Sequence, residues 1–300
     1  MNNYSVIFGP ADVSHSMDDI RKLVSSDQIV AERFAQVSQF SGISIRDLLN
    51  VETKNNPFTR LQMISLGLFA GMLGIADRVV SIKGEPCSVG GISLGELVAL
   101  CFSSAITVKD AVSIILCEQP VKSSPEAVGF VFIPTGSEHL LIEEDLNIAV
   151  DYGYVHGGAG KLLMLSGLRD NLLSTAKEIP WELEIISEEL CNIAYHSKYR
   201  LPAVKIISKL IEGMHLSDCK YPVNTCFMKL DRLKSPEDVR QSLIMNEVET
   251  LYVTNLIETQ KKDNISQVVC IGPFLRSLNL NFGLPTEYFD KDWIFSSWEK

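Results

Sequence analysis

Three hundred residues carry a formal net charge of −10, with 46% hydrophobic and 21% charged side chains. A chain of this length can bury a substantial core in one large domain or two. It has no basic run to meet phosphates, which excludes a nucleic-acid binder, and its composition is that of a soluble globular protein.

Tyr4 to Phe8 reads as a short buried strand stopped by Gly9-Pro10. Met1 to Asp12 has no basic start followed by a long apolar run, so no signal peptide is expected. Helical periodicity covers Met17 to Ser25 and Gln28 to Phe40, and Pro57 suits the start of a long helix running to about Ile75. Within that helix Leu61 to Ala76 is the most hydrophobic stretch. Arg60 and Asp77 flank it, and Gln62, Ser65 and three glycines interrupt it, which predicts a core helix and no membrane span. Cys87-Ser88-Val89 leads as a strand into Gly90-Gly91, followed by apolar helices over Leu94 to Ser103 and Lys109 to Leu116.

The polar break Lys122 to Glu126 marks a domain boundary. Beyond it come a strand (Val128 to Ile133), a helix (Glu138 to Leu146), a strand (Ile148 to Tyr152) and the glycine-rich turn Gly157 to Gly160. A strand (Leu162 to Ser166), a helix (Leu168 to Ile179) and a strand (Leu183 to Ser187) complete the unit. This β-α-β-β-α-β order is ferredoxin-like. Residues 126–196 are therefore read as an inserted subdomain in an α/β domain built from 1–125 and 197–300. The large unit resumes with helices over Tyr199 to Met214 and Glu237 to Glu258 and a strand over Val268 to Ile271.

Gly91-Ile-Ser-Leu-Gly95 is a G-x-S-x-G sequence between an apolar strand and an apolar helix. That is the setting of a nucleophile elbow, whose tight turn leaves no room for side chains beside the serine. The helix start aims N–H groups at a developing oxyanion, with Leu94 the natural first donor. A serine hydroxyl needs a base within hydrogen-bond reach. Of five histidines, His156 lies in the glycine-rich turn, where it can approach a substrate. His196 lies in Ile193-Ala-Tyr-His-Ser197 just before a helix and has the better local context, although spacing alone does not choose it. Seven cysteines without a C-x-x-C pair point to free thiols in a reducing, cytoplasmic setting, and no metal motif occurs.

Gly91 to Glu96 resembles the G-H-S-L-G-E elbow of the malonyl-CoA:acyl carrier protein transacylase family at all but one place. Tyr195 to Arg200 is similar to that family's F-H-S-P-L-M, Tyr221-Pro-Val-Asn224 to its P-V-x-N strand, and Ile271-Gly-Pro273 to its late G-P turn. The resemblance covers nearly the whole chain and implies an α/β-hydrolase-like large domain with a ferredoxin-like insertion. It also implies an acyltransferase of polyketide or fatty-acid type with no bound cofactor. Ser93 takes an acyl group from a CoA or carrier-protein thioester, His196 is its base, and the acyl group passes to a phosphopantetheine thiol of an acyl carrier protein. In the family a carbonyl from a loop residue orients the histidine; that loop corresponds to Asn246 to Glu249, with Glu249 as the match.

Two departures alter the expectation. The family's second oxyanion donor falls at Pro10, which has no N–H, or at Ala11 if the register slips by one. The arginine with which malonyl-using members hold the substrate carboxylate falls at Glu118, and no arginine lies between Val79 and Leu168. Ile92 stands where the family has histidine, making the pocket entrance more apolar. A malonyl group is therefore not the expected substrate. Lys198 and Arg200 are expected to border the mouth and meet an acidic carrier protein. An acyl hydrolase that releases acyl groups from carrier proteins is the close alternative, and a weakly active carrier-binding relative is the third reading.

Overall fold

A computed structural model describes residues 3–12, 17–51, 57–117, 125–138 and 147–289. The larger sheet runs in the order β11 (Thr286–Phe289), β10 (Gln267–Ile271), β1 (Tyr4–Phe8), β2 (Ser88–Gly91), β7 (Val223–Asn224) and β8 (Arg232–Leu233). Its pairs are parallel except β7 with β8. Strand β1 is buried along its whole length, as a central parallel strand covered on both faces must be. Tyr4, Val6 and Phe8 join one apolar cluster and Ile7 the other.

The first cluster is formed with α1 (Asp18–Ser26), α2 (Gln28–Ser41), α4 (Arg60–Lys83), α5 (Leu94–Phe102), α6 (Val108–Cys117), α8 (Leu201–Glu212) and α9 (Pro236–Val248). Helix α4 has the length and hydropathy to cross a membrane, but 83% of its most apolar window is buried within the fold, where it serves as a core helix. It starts at Arg60, three residues after Pro57, because Thr59 and Gln62 form a reciprocal capping box. The short α3 (Ile45–Asn50), α10 (Val253–Lys261) and α11 (Leu275–Leu278) complete the large unit.

The second sheet has the order β6 (Leu183–Ile185), β3 (Glu126–Pro134), β5 (Gly160–Leu168), β4 (Ile148–Val155) and β9 (Leu251–Tyr252). Alternation divides its faces. Ala127, Val131, Ile133, Leu163 and Leu165 pack with Leu172 of α7 (Arg169–Glu178), while Val128, Phe130, Val150, Tyr152, Leu162 and Met164 face a cavity beside the larger sheet. The helix expected over 138–146 lies almost wholly outside the described residues. The second sheet is not confined to residues 126–196. The fifth strand, β9, comes from the C-terminal segment and pairs parallel with β4 at Val150 and Leu251, so the insertion does not complete its own sheet.

The single helix expected over Glu237 to Glu258 is also corrected. It is α9, then β9, then α10, because Glu249 turns extended (φ −93°, ψ 145°) and the β-branched, aromatic run after it pairs with β4. That break leaves the last carbonyls of α9 without intrahelical partners, one of which belongs to the site.

Candidate active site

Ser93 sits between β2 and α5 with φ 56° and ψ −115°, a backbone geometry an L-residue rarely adopts. Two glycines make the bend possible. A methyl at Gly91 would stand 2.0 Å from the Gly95 carbonyl carbon, and one at Gly95 would stand 2.2 Å from the Phe8 oxygen. The first turn of α5 is thereby pressed against the end of β1, and the Ser93 hydroxyl is lifted toward the cavity.

The imidazole reaches it from 103 positions downstream, with His196 Nε2 2.9 Å from Ser93 Oγ. On the ring's other side Nδ1 lies 2.6 Å from the carbonyl oxygen of Asn246. A carbonyl only accepts, so Nδ1 carries the proton and Nε2 presents its lone pair to the serine hydroxyl. The Asn246 oxygen is available because α9 stops at Val248. Glu249, expected to orient the histidine, is exposed and caps α9, and its N–H bonds to the Met245 oxygen. The orienting group is thus a carbonyl of the expected loop, but that of Asn246, three residues before Glu249. Around the ring, Ala194 N–H donates to the buried Glu126 carboxylate at 2.7 Å, and Ser197 Oγ donates to the Ala194 oxygen at 2.7 Å.

His196 is 3% exposed. Burial pushes its imidazole down to about 4; the Asn246 hydrogen bond opposes that shift and the Arg200 charge adds to it. The ring is therefore neutral at pH 7 and competent as a base. Turnover that depends on it should fall only as the medium is acidified through about pH 4, where the imidazolium forms and can no longer take the serine proton. A kcat/KM profile measured from pH 3.5 to 8 should be flat above about 5, and an acid limb at 6 to 7 would contradict the assignment.

Leu94 and Ala11 both line the cavity, as does Pro10. Leu94 N–H at the start of α5 and Ala11 N–H are the two donors this corner offers, since Gly9 N–H is already bonded to the Ile271 oxygen and Pro10 has none. The cavity has a volume of about 580 Å3, within the range of small-ligand sites. It contains no arginine or lysine among the described residues; its charged neighbours are the carboxylates of Asp12, Glu184 and Glu247, and His156 lies on its wall.

Three further expectations need comment. Ile92 does not line the cavity; it is fully buried in the second apolar cluster, because successive side chains at the end of β2 point to opposite sides. Arg200 is no mouth residue either: it is 1% exposed and held by the buried Glu247 carboxylate at 3.1 Å. An unpaired buried guanidinium would be costly, so the pair is a structural brace for the His196 segment. Lys198 is exposed. Glu118 lies outside the described residues.

Glu96, the last position of the matched elbow motif, has no role assigned to it from the sequence. Glu96 is 1% exposed in the first turn of α5 and accepts a hydrogen bond from Ser242 of α9. Burial raises its carboxyl to about 8, so it is largely neutral at pH 7 and places no anion behind Ser93. Among the described residues no three His, Cys, Asp or Glu side chains converge on a metal position.

No protein-family model matches the chain, and no curated protein sequence matches it either. Solved structures do. The malonyl CoA-acyl carrier protein transacylase of Coxiella burnetii superposes with a TM-score of 0.78 at 18% identity, covering 99% of this chain and 97% of that one. An acyl carrier protein S-malonyltransferase from Vibrio cholerae O1 biovar eltor gives 0.77 at 15% identity, with 96% and 97% covered. A malonyl-transacylase in complex with its type II PKS acyl-carrier protein gives 0.78 at 17%, with 99% of both chains covered. The chain therefore has the α/β fold of the malonyl-transacylases over nearly its full length.

Proposed function

We propose that this protein is a serine acyltransferase that accepts a non-carboxylated acyl group from a thioester and passes it to or from the phosphopantetheine arm of an acyl carrier protein. The observation that carries the reading is the relay Ser93 Oγ, His196 Nε2, His196 Nδ1 and Asn246 oxygen, opening on an apolar cavity. His196 takes the Ser93 proton as Oγ attacks the thioester carbonyl. The oxyanion is met by Leu94 N–H and Ala11 N–H. Collapse of the tetrahedral adduct expels the thiolate, which leaves with the proton from Nε2. A second thiol then repeats the sequence in reverse: its proton goes to Nε2, its sulfur attacks the acyl-serine, and Ser93 recovers its proton. The thioester is the substrate, and these steps ask for no other group.

Three findings support the finer parts of the reading. The carrier-protein partner rests on the fold shared with carrier-protein transacylases. Exclusion of a carboxylated acyl group rests on a wall with no described cation and the carboxylates of Asp12 and Glu184, Glu247 being already paired with Arg200, since like charges facing each other cost several kcal/mol. A cytoplasmic setting fits seven free thiols.

Hydrolysis is the second reading, and one observation favours it. Asn246 Oδ1 is buried beside the site without a hydrogen-bond partner among the described residues and would accept a hydrogen bond from an attacking water whose other proton goes to His196 Nε2. A scaffold role is disfavoured by the intact relay.

The test is intact-protein mass measurement after mixing with propionyl- or malonyl-loaded acyl carrier protein. A propionyl adduct on Ser93 should form roughly 100-fold faster than a malonyl adduct, the factor that about 3 kcal/mol of charge repulsion supplies. Equal rates for the two would remove the exclusion of carboxylated groups, and no adduct with either would remove the acyl-enzyme. Release of the adduct as free acid in the absence of a second thiol would decide for hydrolysis.

A further inference from the structure

The walls of the cavity differ on its two sides. Leu97 lies one helical turn beyond Ser93 on α5, and Leu243 lies one turn before Asn246 on α9. Both line the cavity, so the faces that carry the nucleophile and the histidine's partner continue in apolar side chains. Leu61 of α4 and Ile114 and Ile115 of α6 close the same region. The helix whose end lies nearest in sequence to Glu118 thus presents isoleucines to the cavity where it is described. The polar groups on this side are Ser65 of α4 and, at the end of α9 beside the histidine, Asn246 and the Arg200-paired Glu247. Asp12, Glu184, His156 and Ser277 belong instead to the loop after β1, the small-sheet side and α11, a side whose strands also contribute Val128, Val150 and Met164.

We infer that the side bounded by α4, α5, α6 and α9 is a chain-length-measuring pocket for an apolar acyl tail of several carbons, with Leu97, Ile114 and Leu243 as its specificity-determining residues. The acyl carbonyl sits at Ser93, the hydrocarbon tail follows Leu97 and Leu243 inward, and the polar side takes the amide-bearing pantetheine arm. The inference rests on the acyl-serine reading and specifies its substrate class. Burying hydrocarbon against these walls is favourable by about 0.8 kcal/mol per methylene, which is roughly a fourfold gain in kcat/KM for each carbon until the pocket is full. A short acyl group leaves these walls uncovered and a carboxylated one places a charge among them.

The experiment measures acylation of the full-length protein by acetyl, butyryl, hexanoyl and octanoyl thioesters of one carrier protein, with the Ser93 adduct followed by mass. The rate should climb at least tenfold from acetyl to its optimum. Ile114→Phe, which shortens the pocket, should lower the octanoyl-to-acetyl ratio at least tenfold, and Leu243→Ala should move the optimum to a longer chain. Adducts that form at the same rate for every chain length, or fastest with acetyl, overturn the inference while leaving the acyl-serine in place. No adduct from any thioester overturns the acyl-serine reading itself. The wild-type profile decides even if a variant fails to fold.

Discussion

Replacing Ser93 with alanine is expected to lower acyl-thioester turnover by about 10⁴-fold or more, with no acyl adduct detectable by mass. The size follows from what is removed. Among the described residues Ser93 Oγ is the hydroxyl placed 2.9 Å from the lone-pair nitrogen of a histidine that is neutral at pH 7. Without it, binding and the N–H groups of Leu94 and Ala11 remain, but no bond to the acyl carbon can form. His196→Ala should cost a comparable factor, and the double variant little more than either alone, because nucleophile and base act as one unit. Alanine keeps the positive-φ position occupied by a small side chain, so the melting temperature should move by only a few degrees. Persistent turnover in Ser93→Ala at a tenth of the parent rate would transfer the chemistry to another group and end this mechanism.

The sequence showed the elbow because its chemistry is local. Gly91 and Gly95 stand within four positions of each other, and the strand before and helix after are periodic on their own. The strands of the small sheet were legible for the same reason, whereas the antiparallel run of β3 with β5 from Glu126 to Leu168 joins distant segments and is seen only in the fold. Three errors share a cause: each residue's role is set by a partner distant in the chain. Arg200 reads as a surface cation until Glu247, 47 positions away, is seen to bury it. The loop Asn246 to Glu249 was matched as the source of an orienting carbonyl, but the choice fell on Glu249 where the fold uses Asn246, because every residue has a carbonyl and only the helix end decides which one is free. The break in the helix over Glu237 to Glu258 was signalled only by the β-rich run Leu251-Tyr-Val-Thr254, with no glycine or proline to mark it. That break frees the Asn246 oxygen, so overlooking the break hid the orienting group too. Ile92 was misplaced because adjacency in sequence to Ser93 puts a side chain on the opposite side of the strand.

Gly95→Ala should be strongly damaging although it touches no reacting atom. A methyl there would lie 2.2 Å from the Phe8 oxygen and 2.6 Å from the Gly9 oxygen, and both obstacles are backbone. Backbone cannot rotate away as a side chain can, so α5 must retreat from the end of β1 by about an ångström to restore ordinary contact. The two proposed oxyanion donors stand on opposite sides of that contact, Leu94 on α5 and Ala11 two residues past Gly9. The retreat therefore widens the gap between them and carries Ser93 away from a histidine anchored separately by α9. A misplacement of this size costs on the order of 10²-fold, and loss of a donor on the order of 10²–10³-fold, so kcat/KM should fall by at least that lower factor. Stability should fall by about 1–3 kcal/mol, read as a lower melting temperature with secondary structure retained by circular dichroism. Gly213→Ala is the control: its methyl would meet only the Leu210 oxygen, at an ordinary 3.5 Å, with φ at −87°. It should leave both turnover and melting temperature near parent values. If Gly95→Ala behaves like Gly213→Ala, the contact between α5 and β1 does not hold the donors in place.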